Sequence, residues 1–187
     1  MNLVGVDVFE TVAVAVWAML PAYVPNNFAV LAGGGAPIDG GRTWNGKRLL
    51  GDGKTWRGTA AGILAGAVLA LILNAIRPSA AAFLGVMLPD PFPAVVIFTL
   101  PAGAMLGDMA ASFLKRRTGR ERGAAFPGID QLDFVVMSLL LTLLAAPTWT
   151  LKTFDPPVIV VVLVATPLLH IVTNVVAYAV GLKNEPW

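Results

Sequence analysis

The chain has 187 residues, of which 57% are hydrophobic and 13% charged, with a formal net charge of +2. Soluble domains carry roughly 25% charged residues, so this composition excludes an ordinary soluble domain and predicts an integral membrane protein. The chain has no cysteine and one histidine, His170. Disulfide, thiolate, zinc–thiolate and multi-histidine chemistry are thereby excluded. Any metal must sit on oxygen ligands, which favours magnesium.

The first apolar run extends from Val8 to Val24, long enough with its flanks to cross a bilayer at about 20 residues. Asp7 and Glu10 stand where a signal peptide would carry positive charge, so the run is not read as one. Pro21 and Pro25 predict a bend or an end there, and Asn26 and Asn27 follow. Residues 32–57 form a polar, glycine-dense loop that offers backbone N–H groups to phosphate. Within it Gly53-Lys54-Thr55 looks like the end of a P-loop, but Arg48 stands where the first glycine of that motif belongs. A plain basic loop obeying topology rules explains the segment equally well at this stage.

The second run is Gly58 to Ile76. Its glycines at 58, 62 and 66 predict close packing against another helix. Residues 79–88 are apolar but short and are read as a re-entrant or interfacial piece. The third run goes from near Phe92 to Leu114, the fourth from Leu132 to Thr150 and the fifth from Val158 to Leu182. The expected fold is therefore one all-α membrane domain over 1–187 with five transmembrane helices, and with loops at 32–57 and 115–131. Ten of the 13 Lys and Arg lie in those two loops. By the positive-inside rule both loops are cytoplasmic, the N-terminus is outside and the C-terminus is cytoplasmic. His170 and Asn174, four apart in the fifth run, read as a satisfied intramembrane polar pair.

The stretch from Gly107 to Phe134, GDMAASFLKRRTGRERGAAFPGIDQLDF, concentrates the chemistry. Asp108 lies seven residues before Lys115, roughly 10 Å along a helix. A carboxylate at that depth marks function by default, the alternative being a salt bridge to a neighbouring arginine. Ser112 and Arg116 share its face. Five cations follow, Lys115, Arg116, Arg117, Arg120 and Arg122, then the Pro127-Gly128 break, then Asp130 and Asp133. Asp130 could also be a helix N-cap, but capping explains one acid and not both, and does not explain Asp108. Carboxylates for magnesium and cations for phosphate, flanked by membrane, predict phosphoryl or nucleotidyl transfer to a lipid. We expect Asp108 and Asp130 to ligate the ion and Asp133 to complete the shell directly or through water.

This stretch, with Pro25-Asn26-Asn27 and the segment PIDGGRTWNGKRLLGDGKTWRG from Pro37 to Gly58, closely resembles the CDP-archaeol synthase family across nearly the whole chain. It is more loosely similar to CDP-diacylglycerol synthases, although Ile129 replaces the histidine that follows Pro-Gly in that signature. The resemblance implies transfer of CMP from CTP to an isoprenoid ether lipid phosphate, an unsaturated archaetidic acid, with release of pyrophosphate. It implies Asp108, Asp130, Asp133, Lys115 and Arg116 as catalytic residues. It implies a nucleotide site from Asn26, Asn27, Lys47, Lys54, Thr55, Arg57, Gly58, Ser112, Pro127 and Gly128. The implied partners are CTP, magnesium and membrane lipids, without nucleic acid, at a multi-pass site in the cell membrane. A transporter or channel, or a lipid-phosphate phosphatase, is the competing reading.

Overall fold

The computed structural model describes residues 2–3, 6–119 and 129–179. Pro127, Gly128 and the His170 and Asn174 side chains lie outside the described set. The chain opens with a two-residue hairpin, β1 (Asn2–Leu3) and β2 (Val6–Asp7). Asp7 then caps helix α1 (Val8–Tyr23), accepting from the Phe9 and Glu10 amides at 2.9 and 3.3 Å. The chain breaks at Val24, and Pro25 opens the short α2 (Pro25–Leu31), where the missing N–H costs nothing. A second hairpin, β3 (Thr43–Trp44) and β4 (Lys47–Arg48), interrupts the following loop. Its turn residues Asn45 and Gly46 both have positive φ, 51° and 73°, the geometry a two-residue hairpin demands.

Helix α3 (Trp56–Leu84) is 29 residues long and continues through Pro78. This corrects the expectation of a separate piece at 79–88, because residues 79–84 are the last turns of α3. The helix ends at Gly85, whose left-handed φ of 67° provides the cap. Helix α4 (Ala94–Arg117) carries the first three cations of the basic block in its last turn. Helix α5 (Ile129–Ala145) stops at Ala146, and Pro147 starts the short α6 (Pro147–Thr153). The fourth apolar run is thus two helices, with Thr150 in the second. Helix α7 (Pro156–Ala179) follows, bent by 76° from α6.

Among the described residues three helical stretches are long and apolar enough to cross a membrane: Val8–Leu31, Trp56–Leu84 and Ala94–Arg117. A fourth is added if α6 and α7 form one broken span. Helix α5 has 17 residues, about 26 Å at 1.5 Å per residue, against a hydrocarbon core of about 30 Å. Its N-terminus adjoins residues outside the described set.

The helices associate through small residues, as expected where lipid offers no hydrophobic drive for helix to meet helix. A Cβ on Gly62 would sit 2.6 Å from the Pro25 carbonyl oxygen, and one on Gly66 would sit 2.5 Å from that of Pro21 and from Pro101 Cβ. The predicted packing role of the 58–62–66 glycines therefore holds. A second pair, Gly103 and Gly107, brings α4 against α5. A Cβ on Gly103 would land on Ser138 Cα, and one on Gly107 on the Asp133 carbonyl. Among the described residues the α4–α5 contact is the most extensive. Hydroxyls finish the α4–α5 interface: Ser138 donates to the Leu100 carbonyl at 2.8 Å, and Thr99 and Thr142 pair at 3.1 Å. The core is built from Ala18, Met19, Ala70, Val96, Leu100, Val135 and Val162 of five helices.

Candidate active site at the loop end of the bundle

The antiparallel packing gathers the end of α1, α2, the start of α3, the end of α4 and the start of α5 at one end. Three-dimensional structure thereby joins two segments far apart in sequence. The Gly107–Asp133 contact sets Asp108 beside the first turn of α5. From the other side Lys54 reaches in, and its Nζ lies 2.5 Å from Asp108 Oδ2, with both side chains about a quarter exposed. Lys115 pairs with Asp130 across α4 and α5 at 2.6 and 2.7 Å to the two carboxylate oxygens. Asp133 lies within electrostatic reach of Asp108, Asp130 and Lys54. Its Oδ1 accepts from the Phe134 amide at 2.6 Å.

The partner of Asp108 is thus a lysine from the distant loop, not the neighbouring arginine that a structural reading of the sequence would favour. Arg116 sits against the loop, its guanidinium 3.6 Å from where a Gly51 Cβ would be. Ser112, one turn beyond Asp108 on α4, is half-buried. Lys47 is exposed on β4, its Nζ beside Gly119 at the end of the basic helix. Asn26, near the start of α2, has a buried Oδ1 with no hydrogen-bond partner, while Asn27 is exposed. An unpartnered buried amide oxygen is costly and suits a ligand donor.

Three predicted nucleotide contacts have structural work here. The Thr55 hydroxyl caps α3 by accepting from the Gly58 amide at 3.1 Å. Arg57 donates to the carbonyls of Ala32, at 2.8 Å, and Gly33. Gly58 lets the Ala29 carbonyl approach α3, its absent Cβ being 2.9 Å from that oxygen.

One residue the sequence reading passed over organises the loop. Asp39 is buried, and its carboxylate accepts from Arg48 at 2.7 and 3.2 Å and from the amides of Gly41, Leu50 and Gly51 at 3.0–3.1 Å. The Arg48 hydrogen bonds, with help from those amides, outweigh burial and hold its carboxyl well below the usual carboxylate range. Arg48 also reaches Asp52 at 2.6 Å. The signal was an aspartate directly before two glycines, the pattern of a side chain folding its own turn. A cavity of about 460 Å³ opens beside this hub, walled by Ile38, Gly40, Arg42, Leu49, Leu50 and Phe113. Neither Lys54 nor Asp108 lines it.

Among the described residues no three of His, Cys, Asp and Glu converge into a set that would hold an ion by themselves. Asp108 and Asp130 each hold a lysine instead. The donors nevertheless fit magnesium, which takes one or two carboxylates and fills its shell with water and phosphate oxygens. They do not form a three-carboxylate cage.

A family model described as CarS-like, CDP-archaeol synthase, matches residues 8–187. The CDP-archaeol synthase of Halobacterium salinarum is 67% identical over 181 residues, covering 97% of this chain and 99% of the relative. That of Halorubrum lacusprofundi is 68% identical over 176 residues, covering 94% and 97%. That of Methanococcoides burtonii is 49% identical over 175 residues, covering 90% and 100%. A solved structure of an intramembrane enzyme for archaeal membrane lipids biosynthesis superposes with a TM-score of 0.69 at 39% identity, over 86% of this chain and 92% of that one. The chain belongs to the CDP-archaeol synthase family.

Proposed function

We infer that the chain is a CTP-using cytidylyltransferase that forms CDP-archaeol in membrane phospholipid synthesis, and that the loop end of the bundle is where it does so. The reading of the site rests on the Lys54–Asp108 contact, which sets a phosphate-binding cation and a metal-binding carboxylate from distant segments side by side. The lipid substrate in this reading is an unsaturated archaetidic acid, 2,3-di-O-geranylgeranylglyceryl phosphate. An oxygen of its phosphate attacks the α-phosphorus of CTP. A new P–O bond forms, the bond from the α-phosphorus to the bridging oxygen breaks, and pyrophosphate leaves with that electron pair.

A phosphomonoester has its second pKa near 6, so the attacking group is already mostly dianionic at neutral pH. No general base is needed. The protein has to align two anions and offset the charge that grows on the leaving group. Lys54 and Lys47 meet the CTP phosphates from the loop, and Arg116 and Lys115 meet them from the end of α4. Asn26 and Asn27 supply amide contacts to the nucleotide, and Ser112, Thr55, Arg57 and Gly58 border it. Asp108 and Asp130 would hold magnesium, with Asp133 completing the shell. A bound ion would supply neutralisation of the phosphate oxygens and of the departing pyrophosphate.

When phosphates and metal enter, each lysine has a better anion than the carboxylate it now touches, and each carboxylate has a better cation. The pairs seen here keep four charged groups compensated until then. Five transmembrane segments, built from α1 with α2, α3, α4, α5 and α7, complete the proposal. The loop end is cytoplasmic, the N-terminus lies outside and the C-terminus lies inside. Purified protein given CTP and a dialkylglyceryl phosphate is expected to release pyrophosphate and form the CDP-lipid only when magnesium and both substrates are present. Phosphate release without CTP would indicate a lipid phosphatase instead.

A further inference from the structure

Of the consecutive cations at the end of α4, Arg117 is spent differently from Lys115. Its Nη1 donates to the Trp44 carbonyl at 2.8 Å, and its Nη2 donates to those of Lys47 and Arg48 at 3.1 and 2.8 Å. The guanidinium lies 5.3 Å from the Trp44 ring centroid and 5.4 Å from that of Phe113. Both distances are within cation–π range. A planar fork that grips three carbonyls while lying over two neighbouring rings is a use of arginine that lysine cannot reproduce.

What it grips is the β3–β4 hairpin, and the hairpin leads to the site by a continuous path. Arg48, whose carbonyl Arg117 holds, sends its side chain to Asp39. Asp39 accepts from the Leu50 and Gly51 amides, and the Gly51 carbonyl accepts from the Lys54 amide at 3.2 Å. The Lys54 side chain ends on Asp108. The ends of the loop are fastened to α2 and α3 by Arg57 and by the Pro37–Thr55 bridge. Its middle is fastened to α4 by Arg117.

We propose that Arg117 is a positioning residue for the nucleotide: it latches the β3–β4 hairpin to α4 and so sets where Lys54 stands over the site. This rests on the reading that Lys54 meets the CTP phosphates. Arg117 itself does not touch substrate. Losing the latch lets the loop sample open positions, which weakens CTP capture and leaves the transfer step of the closed complex intact.

Arg117→Gln is expected to raise KM for CTP roughly tenfold while kcat stays within about threefold and KM for the lipid phosphate is unchanged. Arg117→Lys should fall between. Because the chain has no cysteine, a spin label on Thr43→Cys, exposed on β3, reports the hairpin alone. The label should be immobile with Arg117 and mobile in the Arg117→Gln background. Adding Arg117→Gln to Lys54→Ala should cost little beyond Lys54→Ala itself, since both act through the same lysine. An unchanged KM for CTP in Arg117→Gln overturns the proposal. So does a raised KM with the label still immobile, which would put Arg117 on the phosphates directly. An unchanged KM for CTP in Lys54→Ala overturns the underlying nucleotide reading instead, whatever Arg117→Gln does.

Discussion

The two ends of the helical bundle use the same materials to opposite effect. At the loop end Arg42, Lys47, Arg48, Lys54, Arg57, Lys115, Arg116 and Arg117 gather around Asp39, Asp52, Asp108, Asp130 and Asp133. At the other end Arg77 and Lys152 face Asp7, Glu10, Asp90 and Asp155 around a cavity of about 750 Å³. There the cations are used up: Arg77 donates to the Pro89 and Leu88 carbonyls at 2.5 and 2.9 Å, and Lys152 pairs with Asp90 at 2.6 Å. Lys152 holds the Asp90 carboxyl below its ordinary pKa, but both side chains are more than half exposed. Trp149 donates to the Asp90 carbonyl at 3.2 Å, and Asn74 exchanges two bonds with the Phe92 backbone. That end ties loops to helices. The loop end carries more cations than carboxylates, the balance that the proposed polyanion site calls for. Among the described residues charge count separates the two, eight cations to five carboxylates against two to four, while at both ends cations are bonded to carboxylates or to backbone carbonyls.

The difference can be attacked residue by residue. The largest effects should come from the carboxylates. Asp108→Asn and Asp130→Asn keep size and hydrogen bonding but remove charge, and each should lower turnover by about a hundredfold or more while the protein still inserts. Pyrophosphate release from CTP reads this out. Asp133→Asn should be partly rescued by high magnesium or manganese if it acts through water. Near-normal turnover of Asp108→Asn at limiting magnesium would reduce that residue to a salt-bridge partner.

Next comes Lys54→Ala, expected to raise KM for CTP about tenfold with membrane insertion unaffected. Gly107→Ala should then link packing to chemistry. Its Cβ would strike the Asp133 carbonyl, so α4 and α5 must part, and both Tm and turnover should drop. Loss of Tm with full activity would show that the α4–α5 spacing does not set the carboxylates.

Asp39 offers a pH test. Its folded carboxyl titrates below the ordinary value of about 3.9, so the folded loop binds fewer protons than the unfolded one. The stabilisation is complete above that value and is lost as pH falls below it. Asp39→Asn should therefore melt about 2–8 °C lower at neutral pH and converge with wild type in acid. The smallest effect belongs to the opposite end. Lys152→Ala breaks an exposed, solvent-screened pair and should leave both Tm and activity nearly unchanged.

Much of this was legible in the chain. The apolar runs gave the main helices, and the spacing of Gly58, Gly62 and Gly66 gave their packing face. Pro78 did not end its helix, because the apolar turns after it stay helical until Gly85. Pro147 did separate two helices that hydropathy merges. The carboxylates and cations of the site were visible as types and as clusters. Their pairing was not, because Lys54 and Asp108 are separated by 54 residues and meet only through helix packing. The Gly103–Gly107 spacing was readable and was missed, although it is what sets Asp108 beside Asp133. Asp39 and Arg117 were hidden for another reason: inside a charged segment, a residue that bonds to backbone looks the same as one that awaits a ligand.

The central claim is that the loop end is the cytoplasmic, nucleotide-facing end and that the opposite end faces out. Single cysteines at Arg42, exposed in the loop, and at Met87, exposed beyond α3, test it directly in a chain without native cysteine. A membrane-impermeant maleimide added to intact cells should modify the Met87→Cys protein and leave the Arg42→Cys protein unmodified until the cells are opened. Modification of Arg42→Cys from outside intact cells would contradict the account.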